Sequence, residues 1–255
     1  MNEYPFLVLS ALFVAPGAWI YARRADLRGP MRRVAAAALP FALTERLFYG
    51  DYWKPKVLWD LIERVGCSVE DVLFVVGLGA FASMGYPWAR GLGFAPRAAA
   101  RSGAGAALLG AALLLGAFAV VGLALGLGAA ILPASLLAML AVWAGVLGRR
   151  PDLAWPSLQG GALTAAIYGA LCVVFAQLVP GVFGRVWNPA ALSGLSILGV
   201  PVEELAYAAA AGLIATVFYP AIFDLQFVKQ PPTAAPSNPE DAPSSSRATR
   251  GDGRA

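Results

Sequence analysis

The chain has 255 residues, of which 59% are hydrophobic and 13% are charged, with a formal net charge of +4 and a mean hydropathy of +0.66. Because soluble domains contain about 45–50% apolar and about 25% charged residues, this composition excludes an ordinary soluble protein, and we expect no nucleic-acid partner. The absence of histidine excludes His-ligated metal sites and Ser-His or Cys-His catalysis, so we predict no metal site. The two cysteines, Cys67 and Cys172, form no Cys-x-x-Cys motif and are interpreted as small apolar residues.

Apolar runs of about 20 residues, nearly free of charge, predict seven membrane-spanning helices. The first run resembles the apolar part of a signal peptide, but its basic residues follow it and no cleavage site is apparent, so we interpret it as a retained helix. The division between the fourth and fifth helices rests on length and on a Gly-Leu-Gly sequence. The predicted helices are 5–22, 32–49, 69–88, 103–126, 128–147, 158–182 and 200–222.

Lys and Arg are distributed unevenly between the two sides that seven helices define. Short cytoplasmic loops carry an excess of these residues, so the side with eleven of them is predicted to be cytoplasmic and the side with five external. The N-terminus would then lie outside and the C-terminus in the cytoplasm, and we expect a bacterial inner (plasma) membrane. The eleven are Arg23, Arg24, Arg28, Arg32, Arg33, Arg90, Arg97, Arg101, Arg149, Arg150 and Lys229, and the five are Arg46, Lys54, Lys56, Arg64 and Arg185.

Two stretches of the sequence, beginning at Gly50 and at Gly184, form an internal repeat. In each, a Trp-x-Pro loop leads into a helix that opens with two acids, and an aromatic residue follows the first acid by four positions. The repeat predicts two similar halves, each with an acid pair at the start of its last helix. The matched residues are Gly50, Trp53, Pro55, Gly66, Val69, Glu70, Asp71 and Phe74 with Gly184, Trp187, Pro189, Gly199, Val202, Glu203, Glu204 and Tyr207.

The repeat predicts how the chain is organised. Each half contains three helices, and the fourth helix is an extra crossing that lets the second half start on the same side as the first, so the two repeats run parallel. The fold class is therefore an all-α membrane protein with seven transmembrane helices, built as two parallel three-helix repeats plus a linking helix. We assign the first repeat to 1–100, the linking helix to 101–127, the second repeat to 128–229 and a Pro- and Ser-rich tail, predicted to be disordered, to 230–255.

The acid pairs admit two interpretations. In the structural one, Pro201 and the acids of the first helical turn suit a helix N-terminus, where each acid stabilises by about 0.3–1 kcal/mol. In the functional one, acids near the hydrocarbon mark a site, because they are costly there. Glu70–Phe74 and Glu203–Tyr207 are i,i+4 pairs, so acid and ring share a helix face. A carboxyl group and aromatic faces in an apolar pocket suit protonation of a polyene and stabilisation of the resulting carbocation.

The segments WNP and GVPVEELAY resemble the signature of the small integral-membrane lycopene cyclases of the flavin-independent type, which occur as two short subunits or as one fused chain. The resemblance extends over roughly residues 1–225. It implies that the chain is an intramolecular lyase whose substrate is a lycopene-like carotenoid in the bilayer. The enzyme would convert the linear end groups of this carotenoid to β-rings without redox change and without a cofactor. It implies catalytic roles for Glu203, Glu204, Glu70 and Asp71, and substrate contacts for Trp53, Phe74, Trp187, Tyr207, Pro201 and Glu45.

The two adjacent acids of the second repeat are expected to differ in role. They point about 100° apart on a helix, so both cannot face one pocket. Glu203 shares its face with Tyr207 and is the first choice as proton donor, whereas Glu204 is expected to cap the helix or to pair with Arg185.

The chain departs from the family pattern at three positions. Ser68 stands where the family has proline, Tyr207 stands where phenylalanine is common, and the repeat counterpart of Glu45 is Val179 rather than an acid. These departures affect the prediction of the reaction more than the prediction of the fold.

Other classes of membrane protein fit less well or remain alternatives. A retinal protein needs a lysine in the last helix, residues 200–222 contain none, and the chain has no Asp-rich motif of a membrane prenyltransferase. A proton- or cation-coupled transporter and a pigment-binding subunit remain open. Small residues four apart in the fourth helix permit close packing, either internal or within a homo-oligomer; they are Ala106 with Gly110 and Ala112 with Gly116.

Overall fold

The computed structural model describes residues 3–97, 101 and 103–229, so the predicted tail over 230–255 lies outside the described residues. Within those ranges, six helices are long and apolar enough to cross a membrane, as expected for an all-α membrane protein. The six are α1, α5, α6, α7, α8 and α10 of the following set. The α-helices are α1 (Pro5–Arg23), α2 (Arg28–Ala38), α3 (Glu45–Phe48), α4 (Leu61–Val65), α5 (Val69–Ala89), α6 (Gly103–Gly126), α7 (Ile131–Arg149), α8 (Ala154–Leu178), α9 (Val182–Val186) and α10 (Val202–Phe223).

Short 3-10 helices and strands join these helices. The strands form two small antiparallel pairs, β1 with β4 and β2 with β3, which the apolar pattern did not predict because it responds to long runs. The 3-10 helices are Ala25–Leu27, Leu39–Thr44, Leu58–Asp60, Pro151–Leu153 and Pro189–Ala191, and the strands are β1 (Leu92–Pro96), β2 (Ser196–Ile197), β3 (Val200–Pro201) and β4 (Leu225–Lys229).

Side-chain contacts between distant parts of the chain define the two ends of the bundle. At one end, which we call the acidic end because it holds the acid pairs, Lys56 forms an ion pair with Glu3 at 2.9 Å, and the backbone N–H of Leu58 donates to Glu70. At the other, which we call the basic end, Arg24 donates to the carbonyl oxygen of Leu92 at 2.6 Å. The chain is therefore at the basic end at residue 24 and back at the acidic end by residue 56.

The segment that makes this return, residues 28–48, is not the single helix predicted over 32–49. It consists of α2, the 3-10 helix Leu39–Thr44 and α3 in direct succession. Pro40 lies at the start of the 3-10 stretch, where a proline has no N–H to donate and clashes with the preceding turn of an α-helix. At about 1.5 Å per α-helical and about 2.0 Å per 3-10 residue, the segment is roughly 35 Å long, comparable with the hydrocarbon thickness of a bilayer.

Glycines bring two pairs of long helices, α1 with α5 and α8 with α10, into close contact. A Cβ atom added to Gly77 of α5 would lie 2.7 Å from the backbone carbonyl atoms of Phe13 in α1. A Cβ atom at Gly212 of α10 would lie 2.5 Å from the Cβ atom of Thr164 in α8. Small residues allow such close approach, which favours association through dispersion contacts where the hydrophobic effect is weak. The helix pairs α1–α5 and α8–α10 therefore form the tightly packed part of the bundle.

The small residues of α6 divide between the inside and the outside of the bundle. Ala106 is buried, and a Cβ atom at Gly110 would lie 3.2 Å from Ile222 of α10. Ala112 and Gly116 are exposed, and nothing lies within 4 Å of a Cβ atom at Gly116. The first pair thus serves internal packing.

We predict that Gly77→Ala lowers stability by about 1–3 kcal/mol, because the new methyl group overlaps backbone atoms that cannot move independently. Gly116→Ala is the matched control, and its effect should be neutral or slightly stabilising because alanine favours the helix and meets no neighbour. Thermal unfolding of the two variants in detergent measures the difference. Equal midpoints would show that α1 and α5 are not in the close contact described.

Candidate functional site

A cavity of about 300 Å³ lies inside the bundle between the segment 28–48 and the helices α5, α6, α7 and α10. Its walls are mainly apolar, but three carboxyl groups line it, those of Glu45, Asp71 and Glu204. The described lining residues include no Lys or Arg that could neutralise them. Acids without a basic partner in the apolar interior of a membrane protein are costly and mark functional sites.

The two Trp-x-Pro loops meet at the acidic end of this cavity. Trp53 and Trp187 form an antiparallel bridge, their ring centroids are 5.0 Å apart, and both side chains are buried. We call this contact the tryptophan junction and define it as residues 52–54 with residues 186–188. Two backbone hydrogen bonds of 2.8 Å hold it together, from Lys54 N–H to the Val186 carbonyl and from Asn188 N–H to the Tyr52 carbonyl.

Glu204 is the most fully hydrogen-bonded acid of the cavity. Its Oε1 accepts from the hydroxyl of Tyr52 at 2.6 Å and from the indole Nε1 of Trp187 at 2.8 Å. Its Oε2 accepts from the hydroxyl of Tyr168 at 2.5 Å. Three neutral donors from three parts of the chain therefore fix the orientation of this carboxyl group and compensate negative charge on it. The expected pairing of Glu204 with Arg185 is wrong, because these aromatic donors occupy both of its oxygens.

Asp71 has a different environment. Its Oδ2 accepts from the backbone N–H of Ser68 at 2.5 Å, and its own N–H is bonded to the Ser68 hydroxyl, so the two residues form a capping box at the start of α5. Its Oδ1 is buried and has no hydrogen-bond partner among the described residues. Asp71 therefore caps a helix with one oxygen and leaves the other available at the cavity.

The first acid of each pair bonds to a loop instead of lining the cavity. Glu70 is fully buried and accepts from the backbone N–H of Leu58 at 2.8 Å. Glu203 accepts from the backbone N–H of Ser193 at 2.6 Å. The preference for Glu203 as the acid facing the pocket is therefore corrected in favour of Glu204, since the hydrogen bond to Ser193 turns Glu203 toward the loop before β2.

The remaining predicted site residues are mostly brought together. Glu45 lines the cavity and accepts from the indole Nε1 of Trp53 at 2.5 Å. Phe74 and Tyr207 line the cavity as expected, from α5 and α10. Pro201 does not line it, because it is buried at the N-cap position of α10.

Two tyrosines of the site were not predicted from the sequence. Tyr168 lies in the middle of α8 and Tyr52 directly precedes Trp53. The signal for Tyr168 was a tyrosine hydroxyl within a long apolar run, since a buried tyrosine hydroxyl usually finds a hydrogen-bond partner. Tyr52 carried no comparable signal, because a tyrosine next to a tryptophan in a loop is also typical of a membrane interface.

Comparison with known proteins relates the part of the chain that contains Glu204 to one protein family. Residues 130–222 match the family model described as Lycopene cyclase. The matched stretch contains α7, α8 and α10, and with them Tyr168, Trp187, Glu204 and Tyr207. No curated protein and no solved structure matches the chain.

We predict that Tyr168→Phe lowers stability by about 1–2 kcal/mol, because one oxygen of Glu204 loses its donor inside the bundle. Tyr207→Phe is the matched control, since the Tyr207 hydroxyl has no hydrogen bond among the described residues although its ring lines the same cavity. Thermal unfolding measures both variants, and the infrared carboxyl band should shift only in Tyr168→Phe. Identical behaviour of the two variants would contradict the hydrogen bond to Glu204.

Proposed function

We propose that this chain, whose residues 130–222 match the Lycopene cyclase family model, is a member of that family and converts the linear end groups of a lycopene-type polyene to β-rings. In this proposal it is an intramolecular lyase that needs neither metal nor cofactor. The observation that carries the proposal is an apolar cavity whose described lining holds three carboxyl groups and ten aromatic side chains, among them Trp53, Phe74, Trp187 and Tyr207, and no basic residue.

The reaction requires a proton to be added and a proton to be removed. Addition of a proton to the terminal C=C bond of the end group creates a carbocation, and a second C=C bond attacks it to form the C–C bond that closes the ring. Loss of a proton from the ring carbon then restores a C=C bond, so one C=C bond has been replaced by one C–C bond and no electrons are transferred. A proton donor and a proton acceptor in one cavity are sufficient for this chemistry.

The hydrogen-bond pattern supports Asp71 as the donor and Glu204 as the acceptor. Oδ1 of Asp71 has no partner among the described residues, so a proton on it can be delivered to a hydrocarbon without breaking a hydrogen bond. The carboxyl group of Glu204 accepts from three neutral donors, which stabilise its negative charge opposite a cation. Glu45, held by Trp53, adds a third carboxyl group to the same wall.

The reaction also requires that the carbocation be stabilised by groups that do not react with it, and the aromatic rings meet this requirement. The faces of Trp, Tyr and Phe attract cations by about 0.5–2 kcal/mol each and carry no lone pair as nucleophilic as that of a carboxylate. Phe74 and Tyr207 project from the same two helices as Asp71 and Glu204, one turn further into the cavity. An end group held between these rings would therefore have an acid at the acidic end and apolar walls elsewhere.

The proposal includes seven membrane crossings in two parallel repeats, with the segment 28–48 as the second crossing. Its length and its two ends support this assignment. The basic end carries eleven of the sixteen Lys and Arg residues outside the tail, so we place the basic end and the C-terminus in the cytoplasm and the N-terminus outside a bacterial inner membrane.

We predict that Glu204→Gln and Asp71→Asn each reduce ring formation by about 10²–10⁴-fold, because each removes an acid–base group and retains the shape of the side chain. The variants are expressed in a bacterial host that accumulates lycopene, and the pigments are separated by chromatography. The matched controls are Glu203→Gln and Glu70→Gln, which keep an amide oxygen for the loop N–H and should retain most of the activity. Full activity of Glu204→Gln together with loss in Glu203→Gln would reverse this assignment of the acids.

We also predict the membrane orientation from the proposed crossings. A fluorescent-protein fusion after Lys229 should be fluorescent, because it remains in the cytoplasm, and a phosphatase inserted next to Lys56 should be active outside. If reporters at both positions give the cytoplasmic signal, the number of crossings between them is even and the seven-helix arrangement is wrong.

A further inference from the structure

Side-chain and backbone contacts join parts of the chain at both ends of the bundle. At the acidic end the tryptophan junction covers the cavity, with Trp53 and Trp187 exposed by only 8% and 3%. At the basic end Arg150, which is 7% exposed, donates to Asp224 and to the carbonyl oxygen of Leu225 and so ties the end of α7 to the end of α10. A polyene that entered along the axis of the bundle would have to separate these contacts and cross water, in which it is insoluble.

Two flanks of the bundle are held by close contacts as well. Between α1 and α5, Gly77 lies against the backbone of Phe13, and between α8 and α10, Gly212 lies against Thr164. Passage of a ligand at either place would require helices in direct backbone contact to separate.

The flank between the segment 28–48 and α6 differs. Among the described residues, only two side chains that line the cavity are also exposed on the outside of the bundle, Leu47 at 42% and Phe118 at 40%. Leu47 lies on α3 and Phe118 on α6. Phe41 stacks on Phe118, with ring centroids 5.9 Å apart and an interplanar angle of 23°. The Phe41–Phe118 contact therefore lies where a residue that lines the cavity is also exposed on the outside of the bundle.

The backbone at this flank also departs from a regular helix. Phe41 belongs to the 3-10 stretch Leu39–Thr44. In a bilayer, such irregular backbone is tolerated only where it is buried in protein or lines a cavity, and Phe41, Ala42 and Thr44 line this one. A short stretch with fewer regular hydrogen bonds can move more easily than the helices around it.

We propose that a linear polyene reaches the cavity from the bilayer through a portal between the segment 28–48 and α6, which the Phe41–Phe118 contact opens and closes. This inference rests on the proposed function. The cavity extends from Glu204 to Phe218, which is roughly 21 Å along α10 at about 1.5 Å per residue. A cavity of this depth and about 300 Å³ holds one end group with part of its chain, and the rest of the polyene stays in the portal and the lipid.

The test joins the two sides of the portal reversibly. Phe41→Cys and Phe118→Cys are combined in a protein that also carries Cys67→Ser and Cys172→Ala, and a short bifunctional methanethiosulfonate bridges the new thiols in liposomes. Lycopene in the bilayer is the probe; its binding is followed by quenching of tryptophan fluorescence and its cyclisation by chromatography. Bridging should slow both binding and cyclisation by about tenfold or more, and a reductant should restore both.

A matched pair joins α6 to a helix that does not flank the portal. Gly110→Cys with Ile222→Cys, in the same background, links α6 to α10 where the two already touch, and bridging should leave both rates unchanged. Equal binding rates before and after bridging of the Phe41–Phe118 pair would overturn the portal, while cyclisation in those samples would leave the proposed function intact. If the wild-type protein binds lycopene but does not cyclise it, the proposed function is wrong. The effect of bridging on the binding rate would still test the portal in that case.

A second comparison applies if the cysteine pair does not fold. Phe118→Trp enlarges the side chain at the portal, and Leu115→Trp enlarges an exposed side chain of the same helix that does not line the cavity. We expect slower lycopene binding in Phe118→Trp alone. Equal binding rates in the two variants would reject the portal.

Discussion

The indole-to-carboxylate hydrogen bonds at the tryptophan junction are the contacts on which the site depends. A carboxyl group inside a membrane protein is costly unless its oxygens are satisfied, and an indole N–H satisfies one without adding a charge. Trp53 donates to Glu45 and Trp187 donates to Glu204, and the two indoles lie against each other across the antiparallel bridge. The contact that joins the two halves of the chain is thus also the one that orients two acids at a single cavity. The tight packing of α1 on α5 and of α8 on α10 then holds the helices that carry the other cavity residues.

In each acid pair, one member bonds to a loop and the other lines the cavity. Adjacent residues of a helix project about 100° apart, so one side chain can reach back to a loop while the next faces the interior. Glu70 and Glu203 accept backbone N–H groups of the preceding loops, and Asp71 and Glu204 line the cavity. The structural and the functional interpretations of the acid pairs therefore both apply, each to a different member. This division also explains why two acids follow one another in each half: without the first, the loop N–H would lack its acceptor, and without the second, the cavity would lack its carboxyl group.

Much of the fold could be predicted from the sequence, because long apolar runs reflect the bilayer directly. Six of the predicted spans correspond to helices within a few residues. The second predicted span, 32–49, is not a single helix, because the effect of a proline on a membrane helix cannot be read from the sequence. Three prolines lie inside regular helices, whereas Pro40 begins a 3-10 stretch; the three are Pro16 in α1, Pro87 in α5 and Pro220 in α10. The choice between Glu203 and Glu204 failed for a related reason. Spacing to Tyr207 is compatible with either acid, at i,i+4 or i,i+3, and the hydroxyl that distinguishes them belongs to a tyrosine on α8, which local spacing cannot identify.

The segment 28–48 differs in structure from the part of the second half that corresponds to it in the sequence repeat. At the repeat offset of 134, the 3-10 stretch at 39–44 corresponds to 173–178, which is the regular α-helical end of α8. A strictly two-fold arrangement of the helices would give the cavity two equivalent flanks, both closed or both open. Here Phe118 of the linking helix α6 stacks on Phe41 of the irregular segment, and α8 packs against α10 through Gly161, Thr164 and Gly169, earlier in the helix. The two stretches of the sequence repeat each place a carboxyl group, Asp71 and Glu204, at one cavity, and the proposed portal lies where the structure of the first half departs from that of the second.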